Sequence, residues 1–312
     1  MFCELTLTST ALLVVDKVMG IGRFLNQSNA RILAPDYSGP ILICDIDKTY
    51  LSTRFSSIRG LMGIPFEFAL DKEPIDGVVA TLRAWRRGAV FDFGMTPLYF
   101  ISGSPKQLRP VIEKRMLFDG IEYDGITFKD QLGLLLRGKP KGIVEQVGYK
   151  LTALLLYAEQ FPAGCQWYFF GDDVERDAEV FRLFGRVCGG LRGAALHQEL
   201  SSMGVASRDI QNILELSSRL NYTSDPIGSI FIHLATGSEP NTPEDARVFL
   251  TRSYLQTAML LARDGMVKPE TVGTVAQELR LRGTREKDIE FFVSDAQSRF
   301  SIPEELSQRA RA

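Results

Sequence analysis

The stretch ILICDIDKTYLSTRF, residues 41–55, sets two aspartates, Asp45 and Asp47, directly after an apolar run. Side chains alternate along an extended strand, so Asp45 and Asp47 point to one side and Ile46 to the other. Two carboxylates with ordinary pKa values near ~3.9 that share one small volume repel each other and any incoming phosphate dianion. Chemistry on a phosphate at such a place requires a cation, and oxygen ligands of this kind suit Mg²⁺. Taken alone, the pair reads more readily as a turn whose carboxylates cap the following loop, and the downstream motifs decide between the two.

Two later stretches repeat the pattern of an apolar run that stops at polar residues. Residues 98–101 run into Ser102-Gly103-Ser104, which offers a hydroxyl and backbone N–H groups suited to phosphate oxygens. Residues 167–170 run into Gly171-Asp172-Asp173, with Asp177 about a turn later, a second source of metal carboxylates. Lys150 opens the helical stretch 149–160 ahead of that run and can bring positive charge to a bound phosphate.

Short apolar runs that end in polar or glycine-rich sequence, with helical stretches between them, are the pattern of a parallel sheet covered on both faces. The helical stretches are 78–87, 105–116 and 149–160. The expected fold class is α/β, a doubly wound parallel sheet over residues 41–192, with the chemistry at its carboxyl edge. Beyond residue 193 amphipathic segments at 207–220, 243–263, 269–282 and 285–300 leave one strand-like run, 230–234, and predict a mainly helical region over 193–312. Residues 1–40 read as an N-terminal segment with one amphipathic helix, 10–25, that packs on the core.

The chain has 312 residues, 45% hydrophobic and 24% charged, an ordinary globular balance. Its formal net charge of -2 provides no basic field for nucleic acid, so none is expected as a partner. No apolar run reaches the ~20 residues of a membrane span, and Glu4, Asp16 and Lys17 interrupt any signal-peptide pattern. The expected location is the cytoplasm, with a peripheral membrane location as the variant. Cys3, Cys44, Cys165 and Cys188 stand far apart with no metal-binding spacing and read as small buried apolar residues.

In order, D-x-D-x-T, strand-Ser, Lys and G-D-x-x-x-x-D resemble the motifs of the haloacid dehalogenase-like phosphatases. Within that superfamily residues 41–190 resemble the catalytic domain of the actin-patch-protein type of phosphatidate phosphatase, through CDIDKTYLST, YFISGSPKQL, GYKLTALLLYAEQFP and YFFGDDVERDAEVF. The resemblance implies a Rossmann-like core and an aspartyl-phosphate intermediate. It implies Asp45 as nucleophile, Asp47 as general acid and base, and Thr49 as a brace of the loop. It also implies Ser102 with Gly103 at the phosphoryl oxygens, Lys150 as the neutralising cation, and Mg²⁺ held by Asp45, the backbone carbonyl of Asp47 and Asp172, with Asp177 orienting that shell. The chain departs from the family pattern at Lys48, where a further aspartate is usual, at Asp173, where serine is usual, and at Lys106, where tryptophan is common. An extended backbone would turn Lys48 away from Asp47. Asp173 is the alternative to Asp172 as metal ligand.

The function so implied is a Mg²⁺-dependent phosphomonoesterase acting on a phosphate ester, with phosphatidate or a related membrane lipid phosphate as substrate. Two alternatives stand beside it: a phosphatase or phosphotransferase for a soluble metabolite or phosphoprotein, and a catalytically idle binding module on the same fold. Tyr50-Leu51 departs from the phosphorylation motif of cation pumps, and Asp47 favours phosphate over haloacid chemistry. Lys139 and Lys141 read as loop residues and Arg83, Arg86 and Arg87 as solvated charges at a helix end. His233 reads as a packed strand residue, and Trp85 and Trp167 as core. The apolar runs 61–66 and 89–95 are the candidates for a lipid-facing lip.

Overall fold

The structure, a computed structural model of the chain, describes residues 25–29, 31–52, 73–89, 95–129 and 144–312. Alternation along the strands dictates the sheet. Ile41 and Ile43 enter one core cluster while Leu42 and Cys44 enter a second, and all four are buried. Tyr99 and Ile101 split from Leu98 and Phe100 in the same way, as do Trp167 and Phe169 from Tyr168 and Phe170. A strand that is apolar on both sides is stable only inside a sheet with both faces covered.

These runs become β2 (Pro40–Asp45), β3 (Leu98–Pro105) and β5 (Gln166–Asp172), with β2 between the other two and parallel to both. The rest of the sheet comprises β1 (Leu25–Asn29), β4 (Gly125–Lys129), β6 (Ile227–His233) and β7 (Val248–Thr251). The seven strands run in the order β1-β4-β3-β2-β5-β6-β7. The β1–β4 pair is antiparallel and every other pair is parallel. The chain steps outward from β2 through β3 to β4, then returns to build β5, β6 and β7 on the other flank. The carboxyl end of β2, which carries Asp45, therefore lies at the topological switch point, where side chains from several strands converge.

One face is covered by α1 (Val78–Arg87) and α2 (Arg109–Phe118), together with α7 (Tyr254–Arg263), α8 (Glu270–Leu281), α9 (Glu286–Phe300) and α10 (Glu304–Arg311). The other face carries α3 (Val144–Gln160), α4 (Asp177–Cys188), α5 (Gly193–Ser202) and α6 (Ser207–Arg219). Gly77 at the start of α1 has φ 83, and a Cβ there would stand 2.9 Å from Cγ1 of Val275 on α8. Only glycine permits both that backbone and that approach.

The architecture is the expected α/β fold with a mainly helical C-terminal region. Several elements differ from expectation. The stretch 243–263 holds β7 before α7, because Val248, Phe249, Leu250 and Thr251 pair with Ile230, Phe231, Ile232 and His233. Phe249 also stacks on Phe231 at 5.6 Å between ring centroids. The strands β6 and β7 of the C-terminal region thus join the same sheet as β2. The stretch 105–116 opens as a 3₁₀ turn, Lys106–Leu108, before α2. Helix α3 begins at Val144, which puts Lys150 in its second turn instead of at its opening. Leu25 starts β1 instead of ending a helix.

Residues 1–24, with the rest of the predicted N-terminal helix and Cys3, lie outside the described residues, as do residues 61–66, residues 90–94, Lys139 and Lys141. Arg86 is not solvated: it is buried and ion-paired with Asp124, whose carboxylate also accepts from the Leu98 N–H at 3.0 Å. Trp85 and Trp167 are core, and Cys44, Cys165 and Cys188 are free and buried. No helix among the described residues is long and apolar enough to cross a membrane.

Candidate active site

Asp45 ends β2 and is buried. The Lys150 ammonium, delivered from α3, stands 2.8 Å from Asp45 Oδ1 and 3.0 Å from Glu175 Oε2, and is bonded to Asp177. One ammonium thus faces the four carboxylates of Asp45, Asp172, Glu175 and Asp177. Burial alone would lower the Lys150 pKa. The carboxylates, Asp177 and Asp45 foremost, outweigh burial and hold it well above its ordinary value.

The carboxylates feel the converse imbalance. Burial pushes Asp45 well above its usual range against the pull of Lys150, and raises Asp177 as well. Asp172 is pushed up to about 7, first by burial and then by the Asp177 carboxylate. A cluster with more negative than positive charge, shielded from water, is short of a cation.

Local backbone geometry builds this cluster. Arg176 at φ 60 turns the chain between β5 and α4, so that Asp177 opens the helix and points back over the end of β5. Asp177 Oδ2 accepts from the Asp172 N–H at 3.1 Å. A Cβ on Gly171 would lie 2.6 Å from the Asp177 Cβ, so the glycine that precedes Asp172 makes room for Asp177. Asp172 Oδ1 accepts from the N–H groups of Val174 at 2.5 Å and Glu175 at 3.0 Å, which fixes its rotamer.

The donor set fits a small divalent cation. Asp45, Asp172 and Asp177 each offer a carboxylate oxygen, all within 4.8 Å of one another and all buried. Both oxygens of Asp45 and Oδ2 of Asp172 are buried and accept no well-directed hydrogen bond. Buried acceptors left in that state are costly unless an ion satisfies them, and an all-oxygen set suits a hard divalent cation.

Asp47 has a separate environment. Its Oδ2 accepts from Ser102 Oγ at 2.9 Å and from Ser104 Oγ at 2.8 Å, and its side chain is not among the three clustered carboxylates. Ser102 is fully buried, accepts from the Ser104 N–H at 3.0 Å, and its carbonyl accepts from the Tyr149 hydroxyl at 2.6 Å. Gly103 lies beside the Gln146 side chain. Lys48 sits at φ 64, so the extended backbone stops at Asp47 and does not continue through Lys48. The turn closes with Lys48 N–H on Leu51 O at 2.8 Å and Leu51 N–H on Ile46 O at 2.8 Å. Thr49 is buried; its hydroxyl makes no hydrogen bond, and its carbonyl accepts from the Tyr254 hydroxyl at 2.8 Å.

Asp173 faces elsewhere. Its carboxylate accepts from the Thr236 N–H at 3.3 Å, from the Thr236 hydroxyl and from Ser238 Oγ at 2.8 Å. His233 packs face to face on Tyr254 with centroids 5.5 Å apart, and burial lowers its pKa to about 4. The structure therefore brings Asp45, Lys150, Asp172 and Asp177 into one cluster, and Asp47 with Ser102 into an adjoining one. Sequence reasoning missed Glu175, Ser104 and Tyr254. Glu175 was visible as the acid between Asp172 and Asp177, and Ser104 as the second hydroxyl of the Ser-Gly-Ser run; nothing local marks Tyr254.

No curated protein and no solved structure matches the chain. Residues 41–188, which carry Asp45, Asp47, Ser102, Lys150, Asp172 and Asp177, match the model of the family described as phosphatidate phosphatase APP1, catalytic domain.

Proposed function

We propose that this chain is a Mg²⁺-dependent phosphomonoesterase that works through an aspartyl-phosphate on a lipid phosphate of the phosphatidate class. The observation that carries the reading is the division of labour between neighbours: Asp45 faces Lys150 and the carboxylate cluster, while Asp47 is held by hydroxyls. Bound by Asp45, Asp172, Asp177 and the Asp47 backbone carbonyl, Mg²⁺ would supply the charge that suppresses repulsion between the carboxylates and a phosphate dianion.

The remaining work falls to side chains. Lys150 stabilises the Asp45 anion and screens it from the phosphate. An Asp45 oxygen attacks phosphorus while the P–O bond to the leaving alkoxide breaks, and Asp47 gives that alkoxide its proton. In the second half Asp47 takes a proton from a water whose oxygen attacks phosphorus. The bond to Asp45 then breaks, which restores the carboxylate and releases inorganic phosphate. Ser102 turns its hydroxyl from Asp47 to a phosphoryl oxygen when substrate is bound. The lipid class comes from the family match, and a lipid substrate implies that the protein meets it at a membrane surface; a cytoplasmic location is part of the same proposal.

The test is phosphate release from phosphatidate in mixed micelles, compared with release from soluble sugar and nucleotide phosphates. Release should be fastest from phosphatidate, should stop with chelator, and should be abolished by Asp45→Asn. Near-normal turnover by Asp45→Asn overturns the nucleophile. Faster turnover of the soluble esters keeps the phosphatase and removes the lipid substrate.

A further inference from the structure

Strand β3 does not run straight past the site. Ser102 pairs with Phe128 and Pro105 pairs with Lys129, so three steps on β3 match one step on β4, and Gly103 and Ser104 fall within the resulting bulge. Bulges of this kind re-aim side chains next to functional sites. Here the bulge leaves Ser104 8% exposed, with its hydroxyl 2.8 Å from Oδ2 of Asp47. Ser102 Oγ reaches the same oxygen at 2.9 Å, and the Ser104 N–H fixes Ser102 Oγ at 3.0 Å.

We propose that Ser104 is a positioning residue for proton transfer by Asp47. Two hydroxyl donors on Oδ2 hold the Asp47 carboxyl group in one orientation. One hydroxyl would suffice if it never moved. When Ser102 turns to the phosphoryl group, Ser104 stays on Oδ2 and keeps the carboxyl aimed. The inference rests on the reading of Asp47 as general acid and adds a residue to which that reading gives no role.

The leaving group supplies the test. An alkyl phosphate needs a proton on its departing oxygen, whereas 4-nitrophenyl phosphate leaves as a stable anion and needs little help. A misaimed acid therefore slows the first far more than the second. Ser104→Ala should lower kcat/KM for an alkyl phosphate about tenfold more than for 4-nitrophenyl phosphate, a part of the ~10²–10⁴-fold that general acid–base help is worth. Ser104→Thr, which keeps the hydroxyl, should return the ratio toward that of the unaltered enzyme. Both rates come from one preparation, so an inactive or unfolded fraction cancels. Ser104→Cys, with a weaker donor of similar size, should lie between the two and replaces alanine if that variant does not fold.

Equal losses on both esters would overturn the inference and leave Ser104 a structural residue. Asp47→Asn separates this failure from failure of the underlying reading. If Asp47→Asn changes the ratio and Ser104→Ala does not, the positioning role alone falls. If Asp47→Asn leaves the ratio unchanged, the acid assignment falls and the inference falls with it.

Discussion

Asp172 and Asp173 are adjacent in sequence and opposite in circumstance. Asp172 lies in the buried cluster with one oxygen lacking any hydrogen bond, and its pKa is pushed up to about 7 by burial and the Asp177 carboxylate. For Asp173, burial would raise the pKa, but hydrogen bonds from Thr236 and Ser238 outweigh it and hold the group below its ordinary value. A cation that binds the folded state raises the melting temperature in proportion to its affinity and concentration, and only Asp172 has oxygen to give. Saturating Mg²⁺ should therefore raise the melting temperature of the unaltered protein and of Asp173→Ala, and should raise that of Asp172→Ala much less. The reverse ranking, read by scanning calorimetry, would move the ligand role to Asp173. The choice between the two was not legible in the sequence, because both follow the same glycine; it depends on the backbone N–H groups of Val174 and Glu175 and on residues 236–238, more than 60 positions on. Asp45 and Asp177 were legible, since each sits at the end of an element whose apolar pattern is unambiguous, and Lys150 was picked out although it lies inside α3 and not at its opening.

At the scale of elements, the turn that follows Asp47 is held from two directions. Its own hydrogen bonds close it, and the Tyr254 hydroxyl at the start of α7 anchors the Thr49 carbonyl at 2.8 Å. Tyr254 is buried and packs against His233 and Phe170, with centroids 5.5 and 5.9 Å away, so its hydroxyl has little freedom. Tyr254→Phe keeps the ring and removes the donor, which leaves a buried carbonyl short of a partner at a cost of about 1–3 kcal/mol. Denaturant unfolding should show a loss of that size, and kcat for phosphate release should fall because the loop carries Asp47. An unchanged stability together with unchanged kcat would show that the turn closes without this anchor. The sequence conceals such a contact: Thr49 and Tyr254 are 205 positions apart. It conceals β4 and β7 as well, since GITFK and VFLT are too short to show a period, and their pairing partners decide their state. The helices 78–87, 207–220, 269–282 and 285–300 were legible to within a residue or two, because amphipathic repetition over several turns is a local signal, whereas α3 starts five residues before the stretch read for it.

For the molecule as a whole, the change of sequence texture near residue 193 coincides with no break in the sheet. Strand β6 pairs with β5 along Tyr168–Asp172. Phe231 on β6 meets Phe170 edge to face at 5.5 Å. Helix α8 lies against α1, where the Glu278 carboxylate accepts from the Gly77 N–H at 3.2 Å and the Ala80 N–H at 3.1 Å and so caps a helix some 200 positions earlier. Leu255, Met259, Val272, Val275 and Ile289 join the same core cluster as Leu42, Phe100 and Trp85. A chain cut after Arg192 would lose all of these side chains, expose the N–H and C=O groups along β5, and uncover the apolar face of α1. Burial of apolar surface contributes roughly 25 cal/mol per Å², so the loss of four of the six described helices on one face, with two strands and two helices besides, exceeds the net stability of an ordinary domain. The truncated chain should therefore aggregate, or else collapse with its far-UV circular dichroism largely kept and its near-UV signal lost, and it should bind a hydrophobic dye. A soluble fragment of residues 1–192 that melts cooperatively and releases phosphate would establish the opposite: that the segment matching the family model stands alone and that the region beyond residue 193 is an accessory to it.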